Sequence, residues 1–131
     1  MILADTSAWI ELLRRTGSSQ GLALEQALLL GDVVLGDLIL VEVLQGINSP
    51  GQLKQAEAAF AQLDVETLCG PDIAFLAAAN YRRLRADGIT VRGTIDVIIA
   101  SWCIENGVEL LHRDRDCDLL EGSLPLTVHR G

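Results

Sequence analysis

The sequence predicts an α/β protein with a central parallel β-sheet and helices on both faces of that sheet. Short apolar or β-branched segments alternate with longer segments of helical character along the whole chain. This alternation is typical of parallel sheets, whose strands are joined by helical crossovers. The chain has 131 residues, the size of one ordinary domain. We therefore expect a single three-layer α/β/α domain over residues 1–131.

The composition favours a folded protein of the cytoplasm. Hydrophobic residues make up 50% of the chain and charged residues 21%, a balance that supports a packed core and argues against disorder. No apolar run reaches the roughly 18 residues of a membrane span, and the N-terminus lacks the basic region of a secretory signal. Cys69, Cys103 and Cys117 show no metal-ligand spacing, so we expect reduced cytoplasmic thiols and no membrane partner.

The first half of the chain is predicted to contain two strands and four helices. Residues 2–4 are apolar and residues 33–35 are β-branched or apolar, which favours strands. Gly31 is expected to stop one helix, and Asp37 to cap the next, which ends near Gly46. The predicted helices cover residues 7–15, 22–30, 38–45 and, opening at Ser49-Pro50, the segment to about residue 63.

The second half continues the alternation. Residues 65–68, 108–111 and 126–129 are predicted strands. Pro71 lies where a first helical turn begins, and Thr94 can cap a later helix that Asn106-Gly107 closes. The two predicted helices cover residues 71–86 and, from Thr94, the segment through residue 105.

Two acidic residues follow predicted strands. Asp5 comes directly after the first strand, and Asp114 follows residues 108–111. In open parallel sheets, sites form at the carboxyl ends of the strands, so we expect these side chains to lie close together. There are structural alternatives for both: Asp5 could cap a helix, and Asp114 could belong to a solvated acidic turn with Asp116 and Asp118.

Two further acids lie on predicted helices. Glu42 stands in a segment that is apolar on nearly every face and is therefore expected to be largely buried. A buried carboxylate costs several kcal/mol unless it is paired or bound to metal; an arginine partner is the structural alternative. Asp96 occupies the first turn of its helix, where an acid could serve only the helix dipole.

Taken together, the four acids predict a site for a hard divalent cation. Carboxylate oxygens are the ligands that Mg²⁺ and Mn²⁺ prefer. His112 and His129 are the only histidines, and neither has a ligand partner at the spacing of a zinc site. The sequence also contains neither a glycine-rich phosphate loop nor a Gly-x-Ser-x-Gly motif.

The net charge of −8 has the wrong sign for a protein that binds nucleic acid. Nine of the ten basic residues are arginines, which suit bidentate contacts to phosphate. These arginines could instead pair with surface acids. Two groups stand out along the chain: Arg82, Arg83, Arg85 and Arg92, and then Arg113 and Arg115.

The combination of motifs resembles the PIN domain, and more closely the VapC toxins of toxin–antitoxin pairs. Each matching segment is short, but their order and spacing are specific, and together they span essentially the whole chain. One departure is Cys117, where the family often has an aromatic residue. The matching segments are residues 2–7 (ILADTS), Glu42 followed by Gly46, residues 96–100 (DVIIA) and residues 110–116 (LLHRDRD).

The resemblance implies a metal-dependent endoribonuclease that hydrolyses RNA phosphodiesters with metal-activated water. The catalytic, metal-binding acids would be Asp5, Glu42, Asp96 and Asp114, which would hold Mg²⁺ or Mn²⁺. Asp116 would be an alternate ligand. Thr6 or Ser7 would orient a metal-bound water or Asp5.

The resemblance also implies two protein partners. The chain would form a homodimer and would be inhibited by a VapB-like antitoxin. Its substrate would be RNA, for which the binding candidates are Arg82, Arg92, Arg113 and Arg115.

A catalytically silent PIN-like module, acting through protein or nucleic-acid binding, is the alternative. The intact acids at all four positions count against it. A phosphatase with an aspartyl nucleophile at Asp5 is a weaker alternative, because it would need a second Asp two residues on, where Ser7 stands.

Overall fold

The computed structural model describes residues 1–130, so the last residue of the expected domain, Gly131, lies outside the described residues. Within this range the chain forms four strands and seven helices. In chain order they are β1 (Ile2–Ala4), α1 (Thr6–Leu13), α2 (Ser19–Leu30), β2 (Val33–Gly36), α3 (Asp37–Gly46), α4 (Pro50–Phe60), β3 (Val65–Glu66), α5 (Pro71–Ala86), α6 (Thr94–Asn106), β4 (Glu109–Leu111) and α7 (Arg115–Ser123).

The four strands form one parallel sheet in the order β3-β2-β1-β4. Two sets of helices pack on it: α1 contacts α2, α3 and α4, while α6 contacts α5 and α7. The result is the three-layer α/β/α fold that the sequence predicts. The strand β1 lies inside the sheet and β4 at its edge, and both are buried, with Leu3, Ala4, Leu110 and Leu111 fully excluded from solvent.

The predicted capping residues act at several helix ends. The Ser49 side chain caps α4, and Gly31 ends α2 with a φ of 72°, a left-handed conformation that favours glycine. The helix α2 begins three residues before the predicted start, because the Ser18 hydroxyl accepts a hydrogen bond from the backbone N–H of Gly21. The predicted caps Asp37 and Thr94 are wrong, because each is the first residue of its helix and the capping positions are held by Gly36 and Gly93, which have no side chain to cap with. The Asp37 carboxylate instead accepts from the N–H groups of Leu38 and Leu68.

Two predictions near the C-terminal end of the described chain are wrong. The sequence predicts no helix after Asp114, because acids at alternate positions do not show a helical pattern, whereas the structure forms α7 there. Residues 126–129 were predicted as a strand, but they form only one bridge, in which Val128 pairs with Leu110 of β4. Two backbone hydrogen bonds hold this segment beside β4: Leu110 donates to Thr127, and His129 donates to Leu110.

The helix α3 is less buried than its composition predicts. Ile39 and Val43 are buried, but Val41 is 54% exposed and Glu42 is only partly covered. The apolar residues therefore do not all face the core, and the expectation of a largely buried helix was wrong.

Among residues 1–130, no helix is both long and apolar enough to cross a bilayer.

Candidate functional site

The site lies at the carboxyl ends of β1 and β4, where the order of the sheet reverses. The chain passes from β1 to β2 on one side, whereas β4 pairs with β1 on the other side. Such a switch point leaves a crevice between the diverging connections. Asp5 directly follows β1, and its backbone N–H donates to the carbonyl of Leu111, the last residue of β4, at 3.0 Å. The two strand ends are therefore locked side by side.

Three of the helices that begin at this edge each bring one of the candidate acids. Asp5 is the N-cap of α1, Asp96 stands in the first turn of α6, and Asp114 is the N-cap of α7. The positive ends of helix dipoles favour negative charge, which offsets part of the repulsion among these acids. Asp5 and Asp114 therefore each cap a helix and also belong to the acid cluster.

The predicted acids come together around Asp96. Among the described residues, ligand atoms of Asp96, Asp114 and Cys117 lie within 4.8 Å of one another. The negative charges of Asp114, Glu42 and Asp116 all act on the Asp96 carboxyl. Asp5 and Glu42 are not part of the closest trio, although the charges of Asp96 and Asp114 also reach Asp5.

Burial makes two of these acids hard to ionise. Asp5 is 4% exposed, and this burial raises its pKa from 3.8 to about 6, against the lowering effect of its hydrogen bonds from Ser7 and Ala8. Burial also raises the pKa of Asp96 from 3.8 to about 6, and the charges of Asp114, Glu42 and Asp116 add to the effect. A nearby cation would reverse both shifts, since an opposite charge favours the ionised form.

Each of three carboxylates has one oxygen held by a neighbour. Oδ1 of Asp5 accepts from the Ser7 hydroxyl and the Ala8 N–H, Oε1 of Glu42 accepts from the Thr6 hydroxyl, and Oδ1 of Asp114 accepts from the Asp116 N–H. Since the held oxygen fixes the orientation of each group, the second oxygen of Glu42 and of Asp114 is left for another ligand, whereas Oδ2 of Asp5 accepts a hydrogen bond from the Cys117 thiol. Within residues 1–130, no hydrogen bond affects the Asp96 carboxyl.

Thr6 and Ser7 have different hydrogen-bond partners. Ser7 donates to Asp5 at 2.5 Å and accepts from the backbone N–H of Arg113 at 2.8 Å, so its hydroxyl bridges the segments that follow β1 and β4. Asp5 is one of the two groups that the resemblance implies Thr6 or Ser7 would orient. Thr6 donates instead to Glu42, a contact that sequence reasoning did not anticipate.

Cys117 was not predicted to be part of the site. Its thiol is buried and lies 3.8 Å from Oδ2 of Asp5. Burial raises the pKa of this thiol, and the charges of Asp5, Asp96 and Asp114 raise it further. The only sequence signal was its position directly after Asp116.

His112 is the second residue that sequence reasoning missed. It is 6% exposed, and burial lowers the pKa of its imidazole. Its Nδ1 accepts a hydrogen bond of 3.2 Å from the backbone N–H of Asp114. It lines a cleft of about 450 Å³ between the start of α2, the start of α7 and residues 128–130, which we call the His112 cleft. Asp114 lines the same cleft, so the cleft opens from the carboxylate cluster.

The four arginine candidates fall into two places. Arg113 and Arg115 line the His112 cleft, whereas Arg82 lines a separate cleft along α5 and α6, and Arg92 precedes α6. Arg113 is paired with Glu11, so the surface ion-pair alternative holds for this residue. In the described part of the chain, no carboxylate lies within 4.0 Å of Arg115. Arg82 therefore lines a different cleft from Arg113 and Arg115.

The residues fit a hard divalent cation. Two oxygens bound to one Mg²⁺ lie at most about 4.2 Å apart, because each bond is about 2.1 Å long. The Asp96 and Asp114 ligand atoms, within 4.8 Å of each other, therefore need only small rotations. Four clustered carboxyl groups also lack a compensating cation among the described residues, and a metal would supply it.

Comparison with known proteins identifies one matching family and several similar proteins. The PIN domain family matches residues 2–122 of the chain. The chain is 37% identical over 128 residues to "VapC ribonuclease Mb1587" of Mycobacterium bovis and to "Ribonuclease VapC11" of Mycobacterium tuberculosis. In both cases the match covers 92% of this chain and 91% of the relative.

A solved structure shares the fold at much lower sequence identity. This is VapBC2 from Rickettsia felis, bound to a DNA fragment from its promoter. The matched chain has a TM-score of 0.73 at 15% identity, over 98% of each chain. At this identity the likeness concerns the fold alone.

Proposed function

The chain belongs to the PIN-domain family, and we propose that it is the endoribonuclease toxin of a toxin–antitoxin pair, dependent on Mg²⁺ or Mn²⁺. The family and the ribonuclease relatives cover nearly the whole chain. The acids that the proposal requires, Asp5, Glu42, Asp96 and Asp114, are all present, and each stands at or near the carboxyl edge of the sheet.

The convergence of Asp96 and Asp114 carries the proposal. Their ligand atoms lie within 4.8 Å of each other, although the residues come from different helices. The pKa of Asp96 is raised to about 6, so its ionised form costs free energy near neutral pH. Such raised pKa values are typical of functional sites. Metal binding is the use that best explains several such acids in one place.

In the proposed site, Asp5, Glu42, Asp96 and Asp114 hold the cation, with Asp116 as an alternate ligand. A bound divalent cation supplies an activated water and neutralises charge at the phosphate. The hydroxyl of Ser7 holds Asp5 in place, and the hydroxyl of Thr6 holds Glu42.

The partners follow from the family and the named relatives. RNA is the substrate, and a VapB-like antitoxin is the inhibitor. A homodimer is proposed on the family resemblance. We also propose that the activity is cytoplasmic, since the proposed RNA substrate and antitoxin are found there.

Growth under controlled expression tests the toxin function. We expect that expression of the chain alone slows growth, whereas equal expression of Asp96→Asn does not. Asp72→Asn is the matched control, because Asp72 is also an acid in a helical first turn but is exposed at the start of α5. If the wild type slows growth no more than Asp96→Asn does, the toxin function is wrong.

A further inference from the structure

The His112 cleft contains a buried hydrogen-bond donor without a partner. Because Nδ1 of His112 accepts from the Asp114 N–H, the neutral ring carries its proton on Nε2. That Nε2 is buried and finds no hydrogen-bond partner within the described chain. The nearest carboxylate oxygen, Oδ1 of Asp118, is 3.7 Å away, which is beyond hydrogen-bonding distance.

A buried donor without a partner is costly, since it loses its bonds to water and gains nothing in return. An ion, a water molecule or a ligand can complete such a group. His112 lines an open cleft of about 450 Å³, a size within the range of small-ligand sites, and displacement of the exposed Asp118 side chain, 3.7 Å from Nε2, would open the buried donor to a ligand there.

One arginine of the cleft is free to pair with an anion. Three arginines line the cleft together with the carboxylates of Asp114 and Asp118. Asp114 belongs to the proposed metal centre, and Asp118 is exposed to solvent, which screens its charge. Arg113 and Arg130 are already paired with Glu11 and Glu121. Arg115 is exposed and has no ion pair among the described residues, so its guanidinium remains available. The start of α2 also lines the cleft, and the N-terminal end of a helix attracts anions.

We propose that the His112 cleft binds the RNA nucleotide next to the cleaved phosphodiester, with His112 Nε2–H donating to an oxygen of its phosphate and Arg115 pairing with the same group. This inference rests on the proposed ribonuclease function. The shared position of Asp114, in both the carboxylate cluster and the cleft wall, places the bound nucleotide beside the cleaved bond. His112 is therefore a binding residue for substrate, and the same residue positions Asp114 through the backbone.

His112→Asn separates these two roles. The amide oxygen of Asn can take the place of Nδ1 as acceptor from the Asp114 N–H, but Asn has no group at the position of Nε2. We expect the variant to bind a fluorescent single-stranded RNA of mixed sequence about tenfold more weakly in EDTA, while its Mn²⁺ affinity by calorimetry stays that of the wild type. EDTA prevents cutting during the measurement.

Salt dependence distinguishes the neutral donor from the charged one. For single strands the logarithmic salt slope changes by about 0.7 for each phosphate contact made by a cation. Arg115→Ala should therefore flatten the slope by about that amount, whereas His112→Asn should leave it unchanged. Arg83→Ala, which removes an exposed arginine of α5 outside the cleft, should change neither affinity nor slope.

A measurement on the wild-type protein does not depend on whether the variants fold. In nitrogen-detected spectra, the Nε2 resonance of His112 should shift when this RNA is added. Unchanged RNA affinity of both His112→Asn and Arg115→Ala, or a static His112 resonance, overturns the inference while the ribonuclease function stands. The inference also fails if these variants weaken only the binding of a copurifying protein inhibitor. A wild type that neither binds Mn²⁺ nor cuts RNA overturns the proposed function and this inference with it.

Discussion

The hydroxyl of Thr6 donates a hydrogen bond of 2.9 Å to Oε1 of Glu42, although the two residues are 36 positions apart. Thr6 is the first residue of α1, directly after Asp5, and Glu42 lies in the middle of α3. The bond therefore fixes the one candidate ligand that does not stand at a helix N-terminus. It holds one carboxylate oxygen of Glu42 and leaves the other to a cation.

Thr6→Val should weaken metal binding without disturbing the fold. Valine has nearly the shape of threonine but lacks the hydroxyl, so Glu42 loses the group that orients it. Loss of a residue that orients a metal ligand typically costs about 10- to 100-fold in metal affinity, and we expect a value near the lower end. Titration calorimetry with Mn²⁺ measures the change.

The matched control is Thr16→Val, because the Thr16 hydroxyl also donates to a carboxylate, that of Glu11, but outside the acid cluster. This variant should bind Mn²⁺ like the wild type. If the two variants bind Mn²⁺ equally well, the Thr6–Glu42 bond has no part in metal binding.

Asp96→Asn should stabilise the metal-free protein. The ionised Asp96 carboxylate is disfavoured by burial and by its acidic neighbours, and asparagine removes this cost without losing a hydrogen bond to the side chain. Because Asp96 is partly exposed, we expect a gain of about 1 to 2 kcal/mol near neutral pH, less than the full pKa change implies. Urea unfolding in EDTA measures this free energy.

The same variant should lose most of the stabilisation that Mn²⁺ gives to the wild type, since it lacks one ligand charge. Asp72→Asn should keep the full response to Mn²⁺. A lower stability of Asp96→Asn in EDTA would show that Asp96 has a favourable structural role in the apo protein.

The metal-free protein should become more stable as the pH falls from about 7 to about 5. The pKa values of Asp5 and Asp96 are about 6 in the fold against 3.8 as the reference. The folded state therefore binds more protons than the unfolded state across this range, and stability falls as pH rises through the folded pKa. For Asp5 the full change corresponds to about 3 kcal/mol, of which less than half, about 1 kcal/mol, falls between pH 7 and pH 5.

Ionisation of Glu11 has the opposite effect on the pH dependence of stability, and it does so at lower pH. Its pKa is lowered from 4.5, first by the Thr16 hydroxyl, so its contribution to stability is lost only below that value. His112 opposes the trend within this range, because burial lowers the pKa of its imidazole from 6.5 and stability is then lost as the pH falls. Urea unfolding at about pH 5, 6 and 7 in EDTA should still show the gain, because the two acids, Asp5 and Asp96, act against one imidazole. With saturating Mn²⁺, the trend should disappear or reverse, because metal competes with protons. Stability that rises with pH in EDTA would contradict the account.

Much of the fold could be predicted because its signals are local. Gly31 and Ser49 act at the helix ends where the sequence places them, and the apolar strands β1 and β4 have the predicted positions. The helix α7 was missed because its acids obscured the apolar spacing of Cys117 and Leu120, which are both buried. The exposure of α3 could not be predicted, since composition does not say which face meets the sheet.

For the site as well, local patterns could be predicted from the sequence, whereas contacts between distant residues could not. The order of strands and helices allowed the four acids to be predicted as one cluster, since strand ends meet at one edge of a parallel sheet. The contacts of Thr6 with Glu42 and of Ser7 with Arg113 join residues 36 and 106 positions apart. No local pattern predicts such pairs, and the same is true of the buried Nε2 of His112.

The three cysteines should differ in reactivity. Cys103 and Cys117 are buried, and burial raises the pKa of both thiols, whereas Cys69 is partly exposed. Since only the thiolate reacts, iodoacetamide should modify Cys69 first in the native protein and all three in urea. Mass spectrometry of the tryptic peptides follows each site. Rapid native modification of Cys117 would show that the site opens in solution.

The measurement that tests the central claim most directly is cleavage of total cellular RNA by the purified protein. Wild type and Asp114→Asn are compared with Mg²⁺ and with EDTA, and the cut ends are mapped. Asp72→Asn serves as the control for loss of an exposed acid. The account predicts cutting at defined positions by the wild type and by Asp72→Asn with Mg²⁺, and none by Asp114→Asn or in EDTA. Cutting by the wild type in EDTA, or by Asp114→Asn at the wild-type rate, would contradict a metal-dependent ribonuclease built on these carboxylates.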